Sequence, residues 1–362
     1  MKRYGYLFEK IVDIQNIEIA IHNASKRKKN RHSVKMVLKN PTKYALAIQE
    51  MLVNGTWKPS KYYISVITDN SSGKTRTIFK PKFYPDQIIH WAIRQITQYI
   101  FYKGMDFYCC GSVPGRGGKR GYTAVKKWLK NDSRNTKYCL QIDIKQYYPS
   151  INQSILMDKI KRKIKDERCL KLLGMIVYST PSGLPIGNYT SQWLANFYLQ
   201  DLDHYIKEEL KAKYMIRYMD DIVIFGSNKK QLHRNLESIK KYISSLDLNI
   251  KSNHQVFRIH YIDKNGLSRG RFIDFLGFRF YRNHITLRRR NALRIKRRIK
   301  KISKKKCLTY RDSAAINSYL GWIYASNSYK YFKKYIEPFI SVRKTKEVIS
   351  IESRKQHSAT KI

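Results

Sequence analysis

The amino-acid sequence predicts an α+β protein in which strand-like hairpins alternate with basic helical segments. Three stretches are typical of hairpins, because β-branched and aromatic residues flank short turn-like tips at 61–82, 214–225 and 275–281. Helices are predicted at 229–245 and at 288–306, where apolar residues recur at helical spacing in the second of these segments. A strand is predicted at 246–250, directly after the first of these helices. Hairpins and helices mixed along one chain indicate the α+β class.

Composition points to a folded protein with a polyanionic partner. The chain has 362 residues, of which 42% are hydrophobic, enough for two or three subdomains with a sizeable core. Its 73 Lys and Arg residues face 26 Asp and Glu residues, a formal charge of +47. So large a surplus repels itself unless a polyanion compensates it. Nucleic acid is the first candidate, and an anionic membrane surface is the second.

Compartment and redox state follow from what the sequence lacks. It has no apolar run of about 18 residues, so no transmembrane helix is predicted, and no signal-peptide core follows its N-terminus. The cysteine count is odd, and no pair has C-x-x-C spacing; the cysteines are Cys109, Cys110, Cys139, Cys169 and Cys307. Neither a disulfide framework nor a zinc site is expected, which favours a reducing cytoplasm.

The most informative stretch is the segment Tyr218–Asp221, with the sequence Tyr-Met-Asp-Asp, between two strand-like runs. Two adjacent carboxylates on a hairpin turn repel each other strongly in a partly dry site unless something neutralises them. A divalent cation held by oxygen ligands is the usual remedy. We therefore predict a two-metal nucleotidyl-transfer site that needs a third carboxylate from elsewhere in the chain.

A second acidic position lies near the end of the predicted strand 138–144. Leu140, Ile142 and Ile144 alternate on one face, which places Asp143 on the other. A lone Asp at a strand end is usually a cap or turn residue. Here Tyr148 follows five residues later, and that context favours a functional role for Asp143.

The 61–82 hairpin carries cations on its return strand. Residues 69–73 form its turn cluster, and Lys74 and Arg76 then point to the same face. Two cations on one face suit a triphosphate, although an exposed Lys/Arg pair is more often plain surface.

Two glycine-rich loops are candidates for phosphate or base contact. Segment 104–121 is rich in Gly and Arg and can bring backbone N–H groups to phosphates, but it does not match the P-loop pattern. Segment 182–192 opens an apolar helix and can lie against a base pair without side-chain obstruction. An ordinary loop-to-helix junction is the alternative for this second loop.

The densest basic stretch runs from Arg288 to Lys306 and contains no acidic residue. Its spacing lets one face pack while the others follow a phosphate backbone. Residues 308–340 are predicted to be further helix. The polar segment 346–362 is predicted to be a mobile tail.

Taken together in chain order, these segments resemble the reverse transcriptase family over roughly residues 60–340. The resemblance is carried by Arg76, the Asp143 strand, Leu184-Pro185-Ile186-Gly187, Tyr218-Met219-Asp220-Asp221 and Phe275-Leu276-Gly277-Phe278. It implies a right-hand polymerase with an antiparallel palm sheet and a helical thumb. The implied subdomains are fingers at 1–137 (returning at about 150–200), palm at 138–282 and thumb at 283–345.

The resemblance also implies roles for individual residues. Asp143, Asp220 and Asp221 match the family's metal-binding carboxylates, which hold two Mg²⁺ ions, with Mn²⁺ as a possible substitute. Tyr148 matches the gate that rejects a ribose 2′-OH. The other implied nucleotide contacts are Lys74, Arg76, Ile186, Gly187 and Gln192. The implied nucleic-acid contacts are Phe275, Leu276, Gly277, Arg288, Arg289, Arg290, Arg294, Arg297 and Arg298. The general acid for pyrophosphate is left open between Lys251 and His254.

One departure from the family bears on accuracy. Most reverse transcriptases have Gln where this chain has Ile186, in a loop that packs against the incoming nucleotide. The pattern Ile186-Gly187-x-x-x-Ser191-Gln192 is similar to enzymes of diversity-generating retroelements, which copy a template RNA with adenine-directed errors. We therefore expect a low-fidelity, RNA-directed DNA polymerase of a bacterial or phage retroelement.

Alternatives stay open beside that expectation. Related bacterial enzymes of anti-phage defence and abortive infection share this basic core and act on their own non-coding RNA. A non-catalytic RNA-binding scaffold would not need three carboxylates, and Tyr148 opposes an RNA-copying RNA polymerase. A retron enzyme is disfavoured because its Val-Thr-Gly thumb motif is not found, and a group II intron enzyme because no maturase extension is seen. Expected partners are a structured template RNA, cDNA, dNTPs and either a small accessory protein or a second copy of the chain, with no membrane.

Overall fold

The computed structural model describes residues 3–69 and 74–358. The chain forms two compact units, Met1–Gly121 with Tyr138–Val256 and Tyr122–Lys137 with Phe257–Ile362. Helices and strands contribute to both units, so the predicted α+β class is confirmed. The predicted fingers, palm and thumb boundaries are drawn from motifs and stay a prediction.

The first unit is rich in helix. Its helices are α1 (Phe8–Val12), α2 (Ile14–Ser25), α3 (His32–Lys39), α4 (Pro41–Val53), α5 (Ile88–Tyr102), α6 (Gly118–Asn131), α7 (Tyr147–Ser150), α8 (Gln153–Lys161), α9 (Glu167–Val177), α10 (Ser191–Tyr198), α11 (Gln200–His204) and α12 (Lys229–Ser245). Helix α6 begins in the first unit, and its residues from Tyr122 onwards belong to the second unit. A π-helical turn lies at Tyr205–Glu209, whereas the segment Phe83–Gln87 is kinked, because Tyr84 has a φ of −111° and a ψ of 134°.

Strands of the first unit form a hairpin and a central sheet. They are β1 (Tyr63–Asp69), β2 (Lys74–Lys80), β3 (Tyr138–Asp143), β4 (Tyr214–Tyr218), β5 (Asp221–Gly226) and β6 (Gln255–Arg258), the last of which leads into the second unit. The predicted 61–82 hairpin is confirmed, because β1 and β2 pair antiparallel from Tyr63 opposite Lys80 onwards. Residues 70–73 of its predicted turn lie outside the described residues.

The central sheet places β5 between β3 and β4, with both neighbours antiparallel to it. The alternation predicted for β3 is present: Leu140 and Ile142 are fully buried, and Asp143 is partly exposed at the strand end. β-branched and aromatic residues of β5 fill the same core. At one end of this sheet, polar residues such as Asp143 and Asp221 therefore lie beside strands whose apolar side chains are buried in the core.

One predicted strand, 246–250, is wrong. The chain turns at Leu246 and Asp247, where Asp247 has a left-handed φ of +53°. Only Ile250 then forms an isolated bridge, to Ile144. Burial of Leu248 explains the apolar pattern without a strand.

The second unit combines short strands with helices. Its remaining elements are β7 (Tyr261–Ile262), β8 (Ser268–Arg269), β9 (Ile273–Phe275), β10 (Phe278–Phe280), β11 (Ile285–Leu287), α13 (Arg289–Ser303), α14 (Tyr310–Tyr324), α15 (Tyr329–Tyr335) and α16 (Val342–Ser358). Strand β10 lies between β9 and β11, which confirms the predicted 275–281 hairpin.

Helix α16 includes most of the segment 346–362 that was predicted to be a mobile tail, and this mobility stays a prediction. Thr345 is buried, and Val348, Ile349 and Glu352 are half-buried at helical spacing, so one face of this polar segment packs. Across 3–69 and 74–358, no helix is long and apolar enough to cross a membrane.

Candidate active site

The site is built on the turn between β4 and β5. Tyr218 pairs with Asp221, which leaves Met219 and Asp220 as a two-residue loop; we call residues 218–221 the acidic turn. Met219 has a φ of +57°, a region that favours glycine and strains a longer side chain. The chain holds this conformation because the surrounding structure fixes it.

The third predicted carboxylate lies beside this turn. Asp143, the last residue of β3, is directly opposite Asp221 in the antiparallel register. The amide of Ile144 donates to the carbonyl of Asp220 at 3.3 Å, which extends the pairing past the strand end. The structure therefore brings the three predicted aspartates to one end of one sheet.

Burial and neighbouring charges both act on the carboxylates at this end of the sheet. Burial raises the pKa of Asp220, and the charge of Asp143 raises it further, while Lys251 and Arg76 oppose the shift. Lys251 compensates Asp143 directly, with Nζ 2.5 Å from Asp143 Oδ1. Two basic side chains from other segments of the chain, Lys251 and Arg76, therefore partly compensate the acidic charges.

Of the two residues considered as general acid, Lys251 is the one in contact with an aspartate. Its amide also donates to the Asp143 carbonyl at 2.8 Å. His254 instead contacts the Lys251 carbonyl through Nδ1 at 3.0 Å. His254 therefore supports the loop that carries Lys251.

The donor chemistry at the acidic turn suits a hard divalent cation, because all three groups are carboxylates. Within residues 3–69 and 74–358, however, no three carboxylate, imidazole or thiol groups are already arranged to hold a metal ion. Lys251 compensates Asp143 in this arrangement.

Tyr148 lies on the short helix α7, within electrostatic range of the turn. Burial raises the pKa of its phenol, and the charge of Asp220 adds to the effect, while Arg76 opposes it. The ring is therefore neutral and near both the acidic turn and Arg76. Its carbonyl accepts a hydrogen bond from the Leu184 amide at 2.8 Å.

The loop 183–187 is fixed at both ends by backbone contacts. Gly183 packs against the carbonyls of Tyr148 and Pro149, where any Cβ would overlap them. Gly187 has a φ of +142° and abuts the Phe79 carbonyl just as closely. Two glycines are required here because the backbone of another segment fills the space a side chain would need.

The remaining predicted nucleotide contacts are Arg76, Lys74 and Gln192, and the structure describes the side chains of two of them. Arg76 is exposed on β2 and acts electrostatically on Asp220 and Tyr148. Lys74 begins β2, but its side chain lies outside the described part of the chain. Gln192 is exposed on α10, next to Ser191, whose hydroxyl donates to the Pro185 carbonyl at 2.7 Å.

Part of the glycine- and arginine-rich loop at 104–121 packs against strand β4 and the acidic turn, where phosphate contact was predicted. The amide of Cys110 donates to the Arg217 carbonyl at 2.8 Å, and the Arg217 amide donates to the Tyr108 carbonyl at 3.1 Å. Gly111 lies against Met219, with no room for a Cβ. These residues support the acidic turn, and the Cys110 amide is not available to a phosphate.

Sequence reasoning missed the charged group beneath the turn. Arg217 is fully buried, and its Nε and Nη2 donate to the two carboxylate oxygens of Asp203 at 2.7 and 2.6 Å. Nη1 donates to Asn196 Oδ1 and to the Met219 carbonyl, both at 3.0 Å. A single Arg in the apolar strand Tyr-Met-Ile-Arg-Tyr was the available signal, since a buried charge must be paired.

In the second unit, the predicted nucleic-acid contacts Phe275, Leu276 and Gly277 lie in a tight hairpin. Leu276 and Gly277 have φ values of +51° and +82°, as a two-residue hairpin turn requires. Phe275 is fully buried, so its side chain supports the turn and is not a contact surface. The Gly277 carbonyl accepts hydrogen bonds from the Arg288 amide at 3.0 Å and from Asn291 Nδ2 at 3.1 Å.

The basic helix α13 packs as predicted, with Ile295, Ile299 and Ile302 buried. Two of its predicted contact residues are held by carboxylates: Arg288 by Asp274 at 2.5 Å and Arg298 by Asp312 at 3.1 Å. The other four are exposed, namely Arg289, Arg290, Arg294 and Arg297.

Comparisons with known proteins match the part of the chain that contains the acidic turn. The family described as reverse transcriptase (RNA-dependent DNA polymerase) matches residues 68–280. The group II intron-encoded protein LtrA of Lactococcus lactis subsp. cremoris is 27% identical over 210 residues, 55% of this chain and 34% of that protein. The retron Ec73 reverse transcriptase of Escherichia coli is 27% identical over 214 residues, 56% of this chain and 64% of that enzyme. The chain therefore spans about a third of the first relative and just under two thirds of the second.

Among solved structures, a telomerase from Candida albicans in complex with a fragment of telomeric RNA is similar, at 12% identity and a TM-score of 0.47. That similarity covers 78% of this chain and 55% of the telomerase chain.

Proposed function

The chain belongs to the reverse transcriptase family, and from this premise we propose that it is an RNA-directed DNA polymerase that copies an RNA template into cDNA. Its α+β fold is that of a right-hand polymerase. The observation that carries the proposal is the register of the central sheet, which sets Asp143 opposite Asp221 with Asp220 adjacent. An RNA-binding scaffold would have no need for three carboxylates at one sheet end.

The chemistry follows from the same residues. When bound by Asp143, Asp220 and Asp221, two Mg²⁺ ions, or Mn²⁺ in their place, would supply the positive charge that nucleotidyl transfer from a dNTP requires. Arg76 would bind the triphosphate of the dNTP by charge-assisted hydrogen bonds. The Tyr148 ring would exclude a ribose 2′-OH by its bulk.

Paired substitutions test the polymerase function. Asp220→Asn and Asp221→Asn should each reduce dNTP incorporation on a primed RNA to background, because each removes a carboxylate charge at nearly constant volume. Binding of the same RNA should persist. Asp201→Asn, on α11, is the matched control and should retain synthesis. Synthesis by the Asp220 and Asp221 variants would contradict the assignment.

We further propose that the polymerase serves a bacterial or phage diversity-generating retroelement and copies with low fidelity. The support is Ile186, which offers no hydrogen bond where the family usually has Gln. Ile186→Gln should change the misincorporation spectrum opposite template adenine, read by sequencing the cDNA. An unchanged spectrum would count against this role.

The alternative is an anti-phage defence enzyme that copies its own structured non-coding RNA in the bacterial cytoplasm. The two curated relatives above are an intron protein and a retron enzyme, and they support only the broader class of retroelement polymerase. Sequencing the nucleic acid that co-purifies with the protein separates the two roles. A template repeat supports the retroelement, and one abundant non-coding RNA supports defence. The same purification reports a small accessory protein or a second copy of the chain.

A further inference from the structure

Arg217 uses every hydrogen-bond donor it has, in a fully buried position. A guanidinium carries five N–H donors in a fixed fork. Four of them bind Asp203, Asn196 Oδ1 and the Met219 carbonyl, as described above, and the fifth donates to the Asn196 carbonyl at 3.3 Å. Burial lowers the pKa of Arg217, but the charge and hydrogen bonds of Asp203, together with Cys109 and Tyr147, raise it by more, so the guanidinium stays charged.

The network connects separate segments of the first unit to the acidic turn. Asn196 comes from α10 and Asp203 from α11. Asn196 Nδ2 also donates to the Gly111 carbonyl at 2.5 Å, and Gly111 lies against Met219. The strained Met219 is therefore held at its carbonyl by Arg217 and flanked by Gly111.

From this arrangement we infer that Arg217 is a positioning residue for Asp220: it fixes the Met219 carbonyl, and with it the peptide that precedes Asp220. The inference rests on the proposed polymerase function. Asp203 and Asn196 orient the guanidinium, so the three act as one unit. Polar networks of this kind fix geometry only when every member is satisfied, and every Arg217 donor is.

A purely structural ion pair would need only the two bonds to Asp203. Arg217 instead commits one donor to the turn itself, at a residue whose left-handed backbone the sequence does not favour. Active-site groups must be held to within about half an ångström of the productive geometry. The turn cannot supply that rigidity alone, because its own strain opposes the conformation.

Arg217→Lys tests the inference, because lysine keeps the charge but loses the fork. The matched control is Asp201→Asn. Asp201 lies on α11, the helix that also bears Asp203, and its substitution breaks only an ion pair with Lys159 of α8, so the acidic turn keeps its contacts. Five quantities are measured for each protein: the single-turnover rate, the KM for dNTP, the Kd for primed RNA, the melting temperature, and Mn²⁺ binding followed by electron paramagnetic resonance of free Mn²⁺.

The expected result for Arg217→Lys is a fall of about 100-fold in the single-turnover rate, as displacement of a reacting group by about 1 Å produces. KM and the RNA Kd should stay near their original values, and Mn²⁺ binding should weaken. Asp201→Asn should show none of these changes. A rate that falls only in proportion to folded protein, or an equal fall in the control, would overturn the inference.

Asn196→Ala serves if Arg217→Lys does not fold, because it leaves the Arg217–Asp203 pair intact while removing an acceptor and the bond to Gly111. The Asn196→Ala protein should also show a lower single-turnover rate at an unchanged KM. A rate equal to that of the unmodified chain would overturn the inference. Failure of the proposed function looks different, since then neither the unmodified chain nor Asp201→Asn incorporates dNTPs.

Discussion

The Phe79 amide donates a hydrogen bond to the Ile186 carbonyl at 2.8 Å, and this bond joins the strand that bears Arg76 to the loop that bears Ile186. A second link lies nearby, where Asn188 Nδ2 donates to the Tyr62 hydroxyl at 2.7 Å. The β1–β2 hairpin is otherwise two strands with exposed apolar side chains, and such a hairpin is marginally stable alone. Its position relative to the acidic turn therefore depends on the glycine loop.

We predict that Gly187→Ala lowers kcat/KM for dNTP by about 100-fold, the effect of displacing a binding group by about 1 Å. The new Cβ would overlap the Phe79 carbonyl, so the hairpin and Arg76 must shift. Gly55→Ala is the control, because Gly55 also has a positive φ, of +66°, but faces open space. Steady-state kinetics with both variants measure kcat/KM for dNTP. Equal losses would attribute the effect to backbone strain.

Substitution at Tyr148 tests the gate. Tyr148→Val should raise ribonucleotide incorporation relative to deoxynucleotide incorporation, because the half-buried ring is the bulk that a 2′-OH would meet. Tyr148→Phe keeps the ring and loses only the hydroxyl, so it should preserve selectivity. Competition assays with paired dNTP and rNTP measure both. If the two variants behave alike, Tyr148 is not the gate.

The local patterns of the sequence were sufficient for the hairpins and for the aspartates. Alternation of Leu140 and Ile142 placed Asp143 correctly, because a strand with one buried face has its register fixed by that face. The same reasoning failed at 246–250, where Leu248 is buried in the core and Ile250 is partly buried against it, although the segment is not a strand. Short apolar runs do not distinguish a strand from a buried irregular segment.

The supports of the site could not be read in this way, because they depend on contacts between distant segments. Arg217 is 14 residues from Asp203 in the chain, and Asn196 is 85 residues from Gly111. Gly111 was interpreted through the basic residues around it, although its own role is to leave room for Met219. Composition describes a loop well but does not say what the loop packs against.

A buried histidine predicts a specific pH dependence of stability. Burial lowers the pKa of His90 from 6.5 to about 3, and neither ring nitrogen has a hydrogen-bond partner among the described residues. Between those pH values the unfolded chain binds a proton that the folded chain does not, so stability falls as pH falls. The loss should approach about 1.4 kcal/mol for each pH unit below 6.5.

His90→Leu should remove that contribution. Chemical unfolding of both proteins between pH 7 and pH 5 should show a flatter acid limb for the variant, whatever its stability at neutral pH. Parallel limbs would show that His90 is protonated in the folded chain or that it does not titrate over this range.

Helix α13 gives the last prediction. Three of its exposed arginines, Arg289, Arg294 and Arg297, should contact phosphates, whereas Arg288 and Arg298 are held by carboxylates. Changing the three exposed arginines to Gln should weaken RNA binding. It should also reduce the slope of log Kd against log salt by about two to three units, because each phosphate contact releases counterions.

The matched control removes the same charge from another helix, through Lys229→Gln, Lys230→Gln and Arg234→Gln on α12, whose side chains are also exposed. Both triple variants have the same net charge, so a change caused by overall charge alone would appear equally in both. A smaller slope only in the α13 variant locates the phosphate path on that helix. Equal slopes would remove α13 from the path, even if both variants bind RNA less tightly.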